Sequence, residues 1–295
     1  MSQLTTICSG DLTATVDSMG AQLMSLTCAG AEYLWQGDPK FWPRRAPVLF
    51  PIVGCLKNDE AMSAAGPVHL KRHGLARTNE HSIVERSESS VTFQLDSDEA
   101  TRELYPFDFR LNMTYSTDGT SLAQRFAVTN TGDVDLPFTL GGHPAFNVPM
   151  PGAEGERFDD YALVFAERWS PEVPVIDERG LHDFGRMTRL MDNDRELPLS
   201  HELIERHATL VFHDVPKSRV TLVGKRSNHG VELEFDGFDY LGVWTASPEA
   251  PFLAVEPWHG CASAYDESGR FEDKRSTITL APGERAELAF TVTPF

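Results

Sequence analysis

Cysteine is scarce in this 295-residue chain: Cys8, Cys28, Cys55 and Cys261 are scattered, with no C-x-x-C spacing. That spacing argues against a disulfide framework or a zinc ribbon and fits reduced thiols in a cytoplasmic protein. Basic residues are also in deficit, 26 against 44 acids, which leaves a formal charge of −18. A surface of that sign repels phosphate backbones and anionic lipid, so no nucleic-acid or membrane partner is expected. Long apolar runs are missing too, since nothing approaches the roughly 18 residues that a membrane helix needs. The opening "MSQLTTICSGDL" lacks a basic flank followed by an apolar stretch, so export is not expected. Also absent are a G-x-G-x-x-G fingerprint, a G-x-x-x-x-G-K-[ST] phosphate loop, a G-x-S-x-G elbow and an H-E-x-x-H pair.

Helical periodicity is scarce as well. Only "SDEATRELY" and "SHELIERHA" read as short helices, the second with Ser200 as N-cap. What is abundant is strand pattern. Runs such as "LTATVDS", "SVTFQLD", "FRLNMTYS", "SLAQRFAVTNT", "RVTLVGK" and "AELAFTVTP" alternate at period two, separated by turn formers such as "TDGT" and "NTGD". Many strands without long helices between them imply antiparallel pairing, hence an all-β sandwich of mainly antiparallel strands. Hydrophobic residues make up 41% of the chain, enough for a sizeable core, and no linker divides it. One domain over residues 1–295 is expected, with the polar segment from Pro171 to Arg195 as a long loop.

Three polar spots lie in turn-rich contexts: "KRHGLAR" with His73 and Arg77, "GGHPAF" with His143, and "AVEPWHG" with Glu256 and Trp258. Glu256 follows the apolar run "FLAV" and precedes Pro257, which places a carboxylate at a strand end beside an indole. A drier setting raises a carboxyl's pKa towards values useful for proton abstraction. A glutamate bonded to backbone or to an arginine explains the same pattern. His143 sits between two glycines and a proline. Gly141 and Gly142 permit a tight turn and close approach of a ligand, and Pro144 stiffens the exit. A histidine so held suits proton donation, and a buried structural histidine is the alternative.

His73 has cationic neighbours at Lys71, Arg72 and Arg77, which favour a neutral ring able to donate to a hydroxyl, with an ordinary surface histidine as the alternative. Arg44 and Arg45 offer planar forks for a sugar hydroxyl or phosphate, or else bind acids. Trp258, Phe146 and Trp244 are candidates for an apolar platform under a sugar ring, or for core. His259 and Cys261 are assigned to packing or to supporting the neighbouring glutamate.

Taken together, "RRAPVLFPIVG", "HGLAR", "YPFDF", "LGGHPAFNVP", "YLGVWT", "AVEPWHG" and "LAPGE" resemble the aldose 1-epimerase (galactose mutarotase) superfamily, in its LacX-like branch. The resemblance runs in order from about Trp35 to the C-terminus. It implies a galactose-mutarotase-like β-supersandwich, no metal or other cofactor, and a sugar held in an open cleft. By motif, it implies that His143 protonates the ring oxygen and that Glu256 takes the anomeric proton. His73 is then implied to bind on the ring-oxygen side, with Arg45, Arg77, Trp258 and Phe146 as substrate-binding candidates.

Two departures stand out. Cys55 occupies a position where the resemblance leads one to expect arginine, so Arg45 or Lys57 is expected to substitute. His207-Ala208-Thr209 stands where "DAL" is expected, which removes a substrate-binding aspartate. The expected activity is interconversion of the α and β anomers of a hexose or hexose phosphate, by a monomer or homodimer. Two other readings remain: a sugar-binding or sensing protein without turnover, and a metal-dependent β-barrel isomerase using His73, His143 and Glu256.

Overall fold

Period-two alternation becomes strand after strand in the computed structural model, which describes residues 2–153 and 155–295. Among these residues the largest sheet has nine strands, all antiparallel to their neighbours. It runs from Asp194–Pro198 at one edge, through Arg285–Pro294 and Leu122–Asn130 at the centre, to Ser82–Arg86 at the other edge. A second, six-stranded sheet orders Leu210–His213, Tyr240–Trp244, Phe252–His259, Leu140–Gly142 and Val48–Leu49, with Ala145–Asn147 also paired to Phe252–His259. The all-β, mainly antiparallel expectation is what the structure shows.

Both sheets contribute to one hydrophobic cluster that runs from Ile7 to Val292. Phe165 of the larger sheet meets Phe212 of the smaller edge to face, with ring centroids 5.5 Å apart. In the strand Phe252–His259 the pleat sends Leu253 and Val255 into that cluster, while Phe252, Ala254, Glu256 and Trp258 face the other way. Strand Tyr240–Trp244 divides likewise, with Leu241 and Val243 inward. Loops cover the outer face too, so the sheet is buried on both sides and its strands read as near-continuous apolar runs.

Both short helices form where expected, at Glu99–Leu104 and His201–His207; the Ser200 side chain accepts from Leu203 N–H, as an N-cap should. The segment from Pro171 to Arg195 is not the long loop expected. Glu172–Ile176 and His182–Arg189 pair as a hairpin, and Asp194 opens an edge strand of the larger sheet. Most of the second hairpin strand is exposed, so no alternation of apolar residues marked it. The tip is tied by Asp177, whose carboxylate accepts from the backbone of Arg179 (2.9 Å) and Leu181 (2.8 Å) and from Tyr265 Oη–H (2.7 Å).

Gly141 and Gly142 serve a different purpose from the one expected. Both lie in extended strand, neither uses a positive φ, and neither opens space for a ligand. A Cβ on Gly141 would sit 2.7 Å from the Trp258 ring, and one on Gly142 would sit 2.5 Å from the Phe290 ring. The glycines make room for two aromatic side chains. Gly142→Ala should therefore destabilise the fold by about 1–3 kcal/mol, the usual cost of overpacking a filled core. Urea unfolding checks this, and an unchanged midpoint would show that Phe290 yields freely.

Candidate active site

Two stretches of chain pair with Phe252–His259 on either side of His143 and Pro144, and they keep one register. Gly141 pairs with Trp258 before the interruption, and Ala145 pairs with Ala254 after it. That register sets His143 opposite Glu256, with Gly242 as the neighbour of Glu256 on its other flank. Cross-strand neighbours have Cβ atoms only about 5 Å apart, so long side chains must meet. His143 Nε2 lies 3.2 Å from Glu256 Oε2, and the same oxygen accepts from Trp258 Nε1–H at 3.1 Å. Glu256 was expected at a strand end, yet the strand continues to His259. Pro257 costs the ladder a donor without ending it.

His143 is clamped by aromatics. Trp42 stacks on its ring at 4.9 Å and 25°, Trp244 meets it edge-on at 5.7 Å, and His73 meets it edge-on at 5.5 Å. Its Nδ1 is buried without a hydrogen-bond partner among the described residues. Burial pushes the His143 pKa down to about 3, and Arg77 and Arg44 add to that. Burial pushes the Glu256 carboxyl well above the carboxylate range, against the pull of Trp258 and Arg72. Both shifts have one cause: a dry site disfavours charge. Net charge on the contact pair is therefore disfavoured in both directions, and its titration belongs to both groups together.

His73 is placed by a turn in which it and Gly74 both take positive φ, 68° and 70°. A Cβ on Gly74 would lie 2.3 Å from the Phe50 carbonyl, so no other residue fits there. The Nδ1 of His73 accepts from Gly54 N–H at 3.1 Å, and His73 N–H donates to Gly54 O at 2.6 Å. Its proton as a neutral ring is thus on Nε2. Burial, followed by His143, Arg77, Arg72 and Arg44, keeps this ring neutral.

These groups line one cleft of about 290 Å³. His73, Arg77, His143, Glu256 and Trp258 come together there, as does Trp244. Arg45 and Phe146 are corrections. The Arg45 guanidinium is turned to Met24 O and to Gln36 Oε1 (2.9 Å), which leaves it outside the cleft. Phe146 is wholly buried in the main core, because the pleat that turns Ala145 outward turns its neighbour inward. Lys57 is exposed in a 3-10 turn away from the cleft lining and replaces nothing. Cys55 is buried with its Sγ–H directed at the carbonyls of Arg179 (3.3 Å) and Gly180 (3.4 Å), tying it to the hairpin tip. His259 bonds Asp239 (2.6 Å) and Gly237 O (3.0 Å) and Cys261 is buried, so neither lines the cleft. Among the described residues no group of three or more His, Cys, Asp or Glu side chains is arranged to hold a metal ion, the donor set a metal-dependent isomerase would require.

The sequence model of the family described as Aldose 1-epimerase matches residues 3–292. The chain belongs to the aldose 1-epimerase family. It is 36% identical over 290 residues to "Protein LacX, chromosomal" of Lactococcus lactis subsp. lactis, with 96% of each chain covered. A galactose mutarotase related enzyme from Lactobacillus acidophilus superposes with a TM-score of 0.93 at 30% identity, covering 99% of this chain and 97% of that one. A galactose mutarotase-like protein from Lactobacillus casei gives 0.90 at 30% identity, covering 99% and 100%. These likenesses place the chain in the LacX-like branch of the aldose 1-epimerases and give it the galactose mutarotase-like fold.

Two lining residues of this aldose 1-epimerase family member carried no signal in the sequence. Trp42 lies in "KFWPRR", where nothing hints at a stack on a histidine 101 positions later. His182 lies in the mostly exposed hairpin, which has no apolar alternation to mark it; it is 3% exposed, lines the cleft, and its Nδ1 has no partner among the described residues.

Proposed function

We propose that the protein interconverts the α and β anomers of an aldose by general acid–base ring opening, with His143 and Glu256 as the proton-transfer pair. The 3.2 Å contact between His143 Nε2 and Glu256 Oε2 carries this reading. Opening a cyclic hemiacetal takes one proton from the anomeric hydroxyl and gives one to the ring oxygen. Those two oxygens share a carbon, so acid and base must stand side by side. A pair holding one proton supplies both roles: with the proton on the imidazole, Glu256 is the base and His143 is the acid. The freed aldehyde turns about its C1–C2 bond, and closure on the other face runs the same transfers in reverse. Trp42 and Trp244 fix the His143 plane, and His73 Nε2–H is available to the ring-oxygen side. A cleft at the small end of the ligand-pocket range suits one sugar ring rather than a chain of them.

The test is anomer-exchange NMR on a panel of aldoses, supported by polarimetry of freshly dissolved sugar. Exchange at the buffer rate for every aldose removes the enzyme reading, and calorimetric binding without turnover then selects a sugar-binding protein. The same pair fixes the shape of the pH profile. Adding a second proton creates net charge in a dry site, so the acid limb of kcat/KM should fall well below the ordinary histidine value of 6.5. Removing the last proton does the same, so the alkaline limb should lie well above the carboxylate range. A broad plateau between the limbs is expected; an acid limb centred near 6.5 would mean that an exposed histidine governs the reaction.

A further inference from the structure

Buried side-chain nitrogens in a folded protein are nearly always hydrogen-bonded, because the water withheld from them must be replaced. His182, in the wall of the cleft, breaks that rule. Its ring is 3% exposed, and its Nδ1 is closed off from solvent without a partner among the described residues. Nε2 likewise bonds no described residue but is not closed off, and the space it opens on is the cleft that His182 lines. Burial, with Lys274 and Arg72 adding to it, brings the pKa down to about 3, so the ring is neutral and carries one proton. A proton on Nε2 orphans only a lone pair in the interior, whereas a proton on Nδ1 would orphan a buried donor, the rarer case. The cleft is thereby offered an N–H.

The backbone that carries this ring is tied on both sides, as a binding residue needs. His182 N–H donates to Ser263 O and its carbonyl accepts from Tyr265 N–H, both at 3.0 Å, while across the hairpin it pairs with Ile176. Ser263 is held in turn by Cys55, whose carbonyl accepts from Ser263 N–H at 2.9 Å. The buried Lys274 adds two bonds from its Nζ, to Ser263 Oγ at 3.2 Å and to Cys261 O at 3.3 Å. Ile176 and Phe184 dock the hairpin on the cluster that contains Trp258, and the His182 ring lies edge-on to Phe184 with centroids 5.7 Å apart. If this ring only filled space, leucine would serve better, since it has no nitrogens to leave unpaired.

We propose that His182 determines which sugar is accepted, its Nε2–H donating to a ring hydroxyl other than the anomeric one. The proposal rests on the anomerase reading for the nature of the ligand. His182 takes no share in the proton exchange. Glu256 Oε2 is already in contact with His143 Nε2 and Trp258 Nε1–H, at 3.2 and 3.1 Å, and His182 belongs to a different wall. An aldose held at C1 by the pair presents its remaining hydroxyls to the other walls. A fixed neutral donor tells them apart by position, without the long reach of a charge.

The experiment is anomer-exchange NMR on glucose, galactose and the 2-, 3-, 4- and 6-deoxy form of each, with the wild-type protein, His182→Leu, His182→Gln and His182→Asn. For the faster parent, one deoxy sugar should lose about tenfold in kcat/KM with the wild-type protein, because the donor is then left unpaired. His182→Leu should lose about as much on the parent and nothing further on that deoxy sugar, so that the two become equal while the other ratios stand. A glutamine amide nitrogen falls near the place of Nε2, and an asparagine one near that of Nδ1. His182→Gln should therefore keep part of the discrimination and His182→Asn none, a comparison that stands even where His182→Leu does not fold.

A loss that is equal for all sugars, or ratios the same in every variant as in the wild type, overturns the proposal and leaves the anomerase reading standing. Discrimination kept by His182→Asn and lost in His182→Gln overturns the Nε2 contact. If no aldose is turned over, calorimetry with the same sugars reads the same ratios in Kd. Ratios that collapse in His182→Leu then support the contact although the enzyme reading has failed, and no binding of any sugar overturns both.

Discussion

Glu256→Gln is expected to lower kcat/KM for aldose anomerisation by about 10²–10⁴-fold, the usual worth of a positioned general base, while raising the thermal midpoint at pH 8. The two effects share a cause. The amide oxygen can still accept from Trp258 Nε1–H, and the side chain keeps its size in a site that is 1% exposed, so the fold loses no contact. What disappears is the titration. The folded carboxyl has its pKa raised above the ordinary 4.5, so folding disfavours its ionised form relative to the unfolded chain. Its contribution is intact below pH 4.5 and declines as pH rises through the folded value, so the wild-type protein carries a burden at pH 8 that the amide does not. Kinetics and calorimetry on one preparation test both halves. Retained activity would remove Glu256 from the chemistry, and a lower midpoint would mean that the carboxyl is ionised and well paired in the native state.

Acidification should destabilise the protein steadily from pH 6.5 downward, before surface carboxylates titrate. Four buried histidines are kept neutral by burial: His73 far below its ordinary value, His81 at about 4, and His143 and His182 at about 3. Their depressed pKa values give stability that is fully present above 6.5, the unfolded value, and lost as pH falls towards the folded ones. Each takes up a proton on unfolding in that window, at about 1.4 kcal/mol per pH unit. Glu256 opposes them with one proton released between its two values. Three net protons over the two pH units from 6.5 to 4.5 imply a loss on the order of 8 kcal/mol, a large share of a domain's usual stability. Thermal midpoints across that range measure it. His182→Asn should flatten the slope by about one proton, and a flat wild-type curve from pH 7 to 5 would show that these rings are charged when folded.

How much of this was legible beforehand differs between backbone and site. The strands of the larger sheet, such as Phe109–Thr117, announce themselves because one face is dry and the other is wetter. Residues His182 to Arg189 do not, because a hairpin exposed over most of its length needs no apolar alternation. His143 and Glu256 were found through their motifs, but their contact comes from register between segments more than a hundred residues apart, which no local pattern encodes. Arg45 and Arg77 look alike in sequence, each in a basic patch. Whether a long side chain turns to a carbonyl of its own neighbourhood or into a cleft depends on what stands beside it in space.

His143 and Glu256 face each other across one strand register, whereas Ile176, Gly180 and His182 line the cleft from a separate hairpin. On the proposed reading, proton transfer and sugar choice are encoded in different stretches of the gene. A graft of the hairpin tip from a relative can alter which sugar is accepted while the inherited proton exchange stays as it was.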